Sequence, residues 1–429
     1  MIKFHPQHLE LHQEIHARPY PKISAPCTIS HIAFFHDNKE VANEYQCINE
    51  LAKIFHVNGI SEGTNSYFQE FEHFNLRWEN HREFSSITII RPMTDPLPVN
   101  STALDMFPEG WLENFPGEVI SASNISISSE FNEKVVETHL GKRPSIASQL
   151  IDEQFTVWSS LHLDSRGFTR FYICENTQHN KNIGQKQLGR IVVKIVEIET
   201  YRQMALLALP LAKEIAPQAS RLGQQCAGIL ENMTKIDSPT DERVLLQELT
   251  GIAAEVEKLR ASTSYRFSAT HAYAELVNSK IEELDEERVE RKDMFGDFVH
   301  RRFMPAIRTC KSVQEQLESL SRRLTRASDL LRTIVDQTIA EQNQKLLESM
   351  NRRSHLQLRL QQTVEGLSVA AISYYLISLL KIFLHGVNGQ LFHFNEDFVL
   401  TISAPVVLVT IYIIVRNMKK HYVDKDLAK

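Results

Sequence analysis

The period of the apolar positions changes twice along this chain, and each change marks a different kind of element. Up to about Cys174 apolar residues alternate with polar ones or gather in short β-branched runs. From about Gly184 they step by three and four, and from Leu367 they become nearly continuous.

In the first part, Thr28 to Phe35 reads as a strand, and Asn38 to Phe55 as a helix with Ala42, Tyr45, Ile48 and Leu51 on one face. Ser66 to Trp78 and Phe84 to Ile90 read as an antiparallel pair joined near Glu79 to Arg82. Phe107 to Phe115 reads as a short helix and Glu118 to Ser128 as another strand. Phe155 to Leu163 and Phe168 to Cys174 flank Asp164-Ser165-Arg166-Gly167, a hairpin turn in which glycine supplies the positive φ. The pattern predicts an α+β domain over residues 1–178, built on one mixed or antiparallel sheet.

In the second part, Leu188, Ile191, Val192, Ile195, Ile198, Met204, Leu207 and Leu211 form one helical stripe, with a kink or break expected at Pro210 and Pro217. Ser238-Pro239-Thr240-Asp241 restarts the chain as a second helix, with Ser238 as N-cap and Asp241 near the positive end of the dipole. That helix is expected to run to about Met294, giving a long helical hairpin over 184–300. Phe295-Gly296-Asp297 and Pro305 mark places where the chain can change direction.

The third part begins as a stalk helix over 305–366, where Val313, Leu317, Leu320, Leu324, Ala327, Leu331 and Ile334 have coiled-coil spacing. The register then shifts through Ile339, Leu346, Leu347 and Met350, which favours a wider bundle over a two-stranded zipper. Residues 367–387 and 398–415 are apolar runs long enough to cross a hydrocarbon layer of about 30 Å, joined by a loop at 388–397 and followed by a basic tail at 416–429. Arg352, Arg353 and Arg359 precede the first run and Arg416, Lys419 and Lys420 follow the second, whereas the loop carries Glu396 and Asp397 with no Lys or Arg. The positive-inside rule then puts both termini on the cytoplasmic side and the loop on the other.

Composition narrows this picture only slightly. With 23% charged residues, 42% hydrophobic residues and a net charge of -6, the chain is neither a disordered polymer nor a many-span transporter, and no global bias toward nucleic acid appears. Five scattered cysteines without a CxxC pair fit a reduced compartment.

Candidate chemistry is sparse. His8, His12 and His16 fall four apart, so a helix would stack them, yet a zinc site needs further ligands. Glu283 and Glu287, inside the acidic run Glu282 to Glu290, are weaker metal candidates because Arg288, Arg291 and Lys292 are interleaved and favour a salt-bridged face. No phosphate loop, dinucleotide fingerprint or nucleophile elbow is present, so no organic cofactor is expected and an enzyme is the least favoured reading.

His5-Pro6 with Glu14-x-His16-Ala17-Arg18-Pro19, then Trp78-Glu79-x-His81-x-Glu83-Phe84, then Glu197-Ile198-Glu199-Thr200-Tyr201-Arg202, resemble a bacterial family of uncharacterised membrane-anchored proteins over essentially the whole chain. That resemblance brings no activity with it. A more distant one does. The α+β domain, long helices, stalk, two spans and Gly386-Val387-Asn388 at the outer end of the first span resemble the two-span Gly-x-Asn class of CorA-type divalent-cation channels. The resemblance implies a pentamer, a divalent cation as the ion, and Gly386 and Asn388 at a pore mouth, where an asparagine carbonyl can hold a hydrated ion without stripping its water. Val387 stands where that class usually has methionine, and Lys381, Ser378 and Tyr374 share the approach to Asn388 along the helix.

The expectation is therefore an oligomeric inner-membrane protein of CorA-like architecture, an ion channel or transporter gated by its cytoplasmic domain, with the lipid bilayer and further copies of itself as partners. The alternative is a membrane-anchored scaffold or sensor with no transport activity.

Overall fold

The computed structural model describes residues 4–8, 12, 19–36, 41–94, 97, 101–129, 131–141, 146–151, 154–176, 185–233, 239–388 and 396–426. The chain divides into two compact units, Met1–Ser328 and Asp329–Lys429.

The first unit is built on one nine-stranded sheet in the order β2-β3-β4-β1-β5-β8-β7-β6-β9. Its strands are β1 (Cys27–Phe35), β2 (Ser66–Glu70), β3 (Asn75–Asn80), β4 (Phe84–Pro92), β5 (Glu118–Ser128), β6 (Ile146–Leu150), β7 (Phe155–Leu163), β8 (Thr169–Glu175) and β9 (Glu286–Arg288). Every pairing is antiparallel except β5 with β8, so the sheet is mixed. The β7–β8 turn forms as its residues dictate: Gly167 has φ 86, and Asp164 Oδ1 accepts from the amides of Arg166 and Phe168 at 2.9 and 3.0 Å.

Both faces of the sheet are covered, and strand alternation divides the core into two. Ile32, Phe34, Leu76, Trp78, Ile87 and Ile89 pack with Ile48 and Leu51 of α1 (Val41–Ile54) and with Trp111 and Phe115. Ile29, Ile125, Ile127, Phe171 and Ile173 face the other way, onto Ile191, Ile195 and Ile198 of a long helix. A short helix, α2 (Glu133–Leu140), capped by Asn132, packs Val136 and Leu140 on Tyr172 and Cys174.

The long helices are α3 (Gln185–Leu206), α4 (Ala208–Met233), α5 (Pro239–Leu284), α6 (Phe295–Asn388) and α7 (Glu396–Asp426). The expected break falls at Leu207, just before Pro210. This places Pro210 in the first turn of α4, where a missing N–H removes no intrahelical bond. Pro217 lies inside α4 without ending it. Ala212 and Ile215 of α4, Phe267 of α5 and Cys310, Val313 and Leu317 of α6 close a three-helix core, and Leu320, Leu324 and Ala327 continue the buried stripe that the spacing predicts.

Four expectations need correction. The run Ser66 to Trp78 is not one strand: it folds back at Phe71 to Phe74, where the Phe71 amide donates to the Phe74 carbonyl at 2.8 Å and the two rings stack at 4.5 Å. Phe107 to Phe115 is a series of turns, preceded by a 3-10 turn at Ala103–Met106. The second long helix stops at Leu284 rather than Met294, because Asp285 takes φ 50 and the next three residues add a strand to the sheet edge against Ser148–Leu150. Pro305 marks no interruption, since α6 runs through it.

In the second unit, the rest of α6 continues without a break to Asn388. Two helical segments, one ending α6 and one at Phe398–Asn417, are long and apolar enough to cross a membrane, and most of their side chains are exposed. Within this unit Val369, Ser373 and Ile411 are buried.

Candidate functional site

One row across the helix-covered face of the sheet is polar over five strands. Arg77 on β3 stands opposite Thr88 on β4, Thr88 opposite His31 on β1, His31 opposite Ser123 on β5, and Ser123 opposite Thr169 on β8. All five are buried. Two residues along, the row Ile90, Ile29, Ile125, Phe171 is apolar, so the polar row is a defined layer and not the loss of a core. Burying such groups is unfavourable unless they find partners, and α3 supplies them for His31 and Thr169.

Thr200 on α3 places its Oγ1 3.3 Å from His31 Nε2, while Thr88 Oγ1 lies 2.8 Å from His31 Nδ1. A hydroxyl can donate or accept, so both ring nitrogens of a neutral imidazole are satisfied whichever carries the proton. Burial, and then the charge on Arg77, push His31 down to about 3. Glu199, 1% exposed, accepts from Thr169 at 3.4 Å and from Arg202 Nη2 at 2.8 Å. Arg77 Nη2 donates to Glu79 Oε1 at 2.7 Å.

Next to these, Glu197 of α3 meets Lys280 of α5 at 3.1 Å, and Lys280 also lies 3.8 Å from Glu283. Burial raises the Glu197 carboxyl, with Lys280 opposing and the nearby Glu79 adding to the rise. Burial also works against the Lys280 charge, but Glu197 and then Glu283 outweigh it and hold the ammonium's pKa up. The layer encloses a cavity of about 30 Å³ lined by His31, Arg77, Glu79, Thr88, Glu197 and Thr200 among others, room for one or two water molecules. It is a charge-balanced network around a water-sized space, too small for an organic substrate.

Two further carboxylates are held nearby. Glu83 contacts Arg266 and lies close to the Tyr265 and Tyr273 phenols. Burial, and then the Glu83 charge, push the Tyr273 phenol above its ordinary value. On the opposite face of the sheet, fully buried Glu44 accepts from Trp78 Nε1 at 2.7 Å and Ser85 Oγ at 2.9 Å, with His36 Nε2 at 3.2 Å.

The N-terminal segment reaches the same region. Pro21 lines the small cavity, its carbonyl lies against Gly189 so closely that a Cβ there would stand 1.9 Å away, and Ile23 N donates to Gln185 O at 3.1 Å. Arg190 lies over the Tyr20 ring at 5.5 Å. Three stretches far apart in sequence, the one following Pro19, the one around Trp78 to Phe84 and the one from Glu197 to Arg202, therefore meet on one face of the sheet.

Other residues singled out from the sequence are not brought together. Glu14, His16 and Arg18 lie outside the described residues. His5, Pro6, His8, His12 and Pro19 are exposed, His8 stacking on Phe4 at 4.9 Å. Glu283 ends α5 and pairs with Lys194 and Lys280, whereas Glu287 lies on β9, so the two do not share a helix face. The intervening Glu286 caps α6: its Oε1 accepts from Gly296 N at 3.0 Å and its Oε2 from Ser148 Oγ at 2.6 Å. Among the described residues no three His, Cys, Asp or Glu side chains converge as a metal would require. In the second unit Tyr374 and Lys381 are exposed and the Ser378 hydroxyl donates back to the Tyr374 carbonyl at 2.8 Å. Gly386, Val387 and Asn388 are the last residues of α6, their side chains lying outside what is described.

His31, Arg77, Lys280 and Arg266 are site residues that the linear pattern does not single out. A signal existed in Leu76-Arg77-Trp78-Glu79, where apolar and charged residues alternate in a strand buried on both faces. Compared with known proteins, the chain matches over residues 3–422 the family described as "protein of unknown function (DUF3422)". No curated protein matches its sequence.

Proposed function

Since the chain belongs to the DUF3422 family over nearly its whole length, and that family is of unknown function, its activity has to be argued from its own architecture: we propose that it is a self-associating, two-span inner-membrane protein of CorA-like architecture that conducts ions and is gated by its α+β unit. The observation that carries this reading is α6. It is one uninterrupted helix of 94 residues that begins at the Glu286 cap beside the sheet edge and ends in Gly386-Val387-Asn388, after a segment apolar enough to span a bilayer.

Self-association is supported by the part of α6 that precedes the span. Ile339, Leu346, Met350, Leu360 and Val364 recur at heptad positions and are each more than half exposed in a single chain. Parallel copies packed along this stripe bring their Asn388 residues around one axis, where the side-chain carbonyls can hold the water shell of a divalent cation.

A second reading rests on Lys381. It is exposed seven residues before Asn388, on nearly the same side of the helix, and a ring of ammonium groups opposes cation flow. In that case the hairpin only anchors a scaffold or sensor. Cross-linking separates the two: Asn388→Cys in membranes, treated with a short bis-maleimide, gives covalent adducts between copies if the residues ring an axis, and no adduct beyond the wild-type background if each hairpin is an isolated anchor.

A further inference from the structure

Near the polar layer an open cleft of about 560 Å³ is lined by Phe35, His36, Arg82, Glu83, Leu207, Tyr265 and Arg266. Its size falls within the range of small-molecule sites. Its lining separates by chemistry: Phe35 and Leu207 provide an apolar floor, while Arg82, Arg266 and Tyr265 provide polar donors.

The charges do not cancel. Glu83 is the one carboxylate in the lining, and it is already paired with Arg266. Arg82, on the exposed turn between β3 and β4, forms no ion pair among the described residues. Arg266 uses Nη2 on Glu83, and its Nη1 is buried without a hydrogen-bond partner among the described residues. Its guanidinium carbon stands 5.6 Å over the Tyr265 ring, which keeps the group in place at the cleft wall. His36 faces inward to Glu44, so it neither cancels nor adds to this balance.

We propose that this cleft binds a small organic anion, its carboxylate or phosphate held between Arg82 and Arg266 and its apolar body resting on Phe35 and Leu207. Two guanidiniums against one carboxylate leave a net positive site, and the planar fork of arginine matches an oxyanion with two hydrogen bonds. A solvated arginine on a turn is the ordinary situation; what sets this one apart is a second guanidinium lining the same concave, half-apolar space, one nitrogen of which, Nη1, has no hydrogen-bond partner among the described residues. The assignment does not rest on the conduction reading, since every lining residue belongs to the first unit.

The test uses the full chain in detergent and the fluorine NMR linewidth of 4-fluorobenzoate, with neutral 4-fluorobenzamide and protein-free micelles as controls. The expected result is broadening of the anion alone, displaced by inorganic phosphate, with affinity at least tenfold weaker in Arg82→Gln, a variant on an exposed turn that leaves the core intact. Broadening that Arg82→Gln retains in full, that phosphate fails to displace, or that is no greater than in empty micelles overturns the assignment.

Discussion

Glu197 on α3 and Lys280 on α5 meet at 3.1 Å and tie together two helices that lie on the sheet, directly beside the Arg77–Glu79 pair. The contact is partly screened, with side-chain exposures of 28% and 19%, so it is weaker than a fully buried pair. Removing only Lys280 leaves Glu197 facing Glu79 without its cation. Lys280→Met is therefore expected to lower stability by about 1–3 kcal/mol, and Glu197→Gln added to it should recover part of that loss. Chemical denaturation of the two single variants and the double variant measures the coupling. Strict additivity of the two effects would remove the pair from the account.

His31 makes a pH prediction. It is buried and neutral, with its pKa pushed down to about 3 by burial and then by Arg77, against about 6.5 when unfolded. Between those values the unfolded chain binds a proton that the folded chain refuses. Stability is thus lost as pH falls below about 6.5, at up to about 1.4 kcal/mol per pH unit from this group, and the loss levels off near the folded pKa. Glu197, whose pKa is raised by burial, acts in the opposite sense just above the ordinary carboxylate range. Comparing His31→Gln with wild type cancels that contribution, and the variant's stability should fall less steeply between pH 6.5 and 4. Equal slopes would show that His31 is not the acid-sensitive group.

Gly189 has no room for a side chain, because a Cβ would sit 1.9 Å from the Pro21 carbonyl oxygen and backbone cannot rotate away as a side chain can. Gly189→Ala should displace the segment around Pro21 and cost about 1–3 kcal/mol, despite alanine's better helix propensity. Hydrogen exchange at the Ile23 amide, bonded to Gln185 O at 3.1 Å, should speed up more than exchange in the middle of α3. Unchanged protection at Ile23 would contradict the close packing.

What could be read from the linear pattern follows from what is local. The strands ending at Phe35, Ser128 and Leu163, the Asp164–Gly167 turn and the break before Pro210 all rest on alternation, turn chemistry and proline stereochemistry, and each forms close to where those signals stand. The Phe71–Phe74 reversal escaped because it uses no Gly, Pro or Asn and is held by ring stacking. Strand β9 escaped because Glu286, Glu287 and Arg288 have no strand propensity of their own and extend only where Ser148–Leu150 offers a sheet edge. Within the site, Glu79, Glu197 and Glu199 belong to motifs visible in the sequence. The row from Arg77 to Thr169 was not visible, because it depends on the register of strands up to about 90 residues apart.

The central claim is conduction through a ring of Asn388 side chains. Its most direct measurement is uptake of divalent cations into liposomes carrying the full-length chain, comparing wild type with Asn388→Ala at equal incorporation. The account predicts wild-type uptake well above that of empty liposomes and at least tenfold lower uptake for the variant. Wild-type uptake indistinguishable from empty liposomes, or equal uptake in the two proteins, would contradict it.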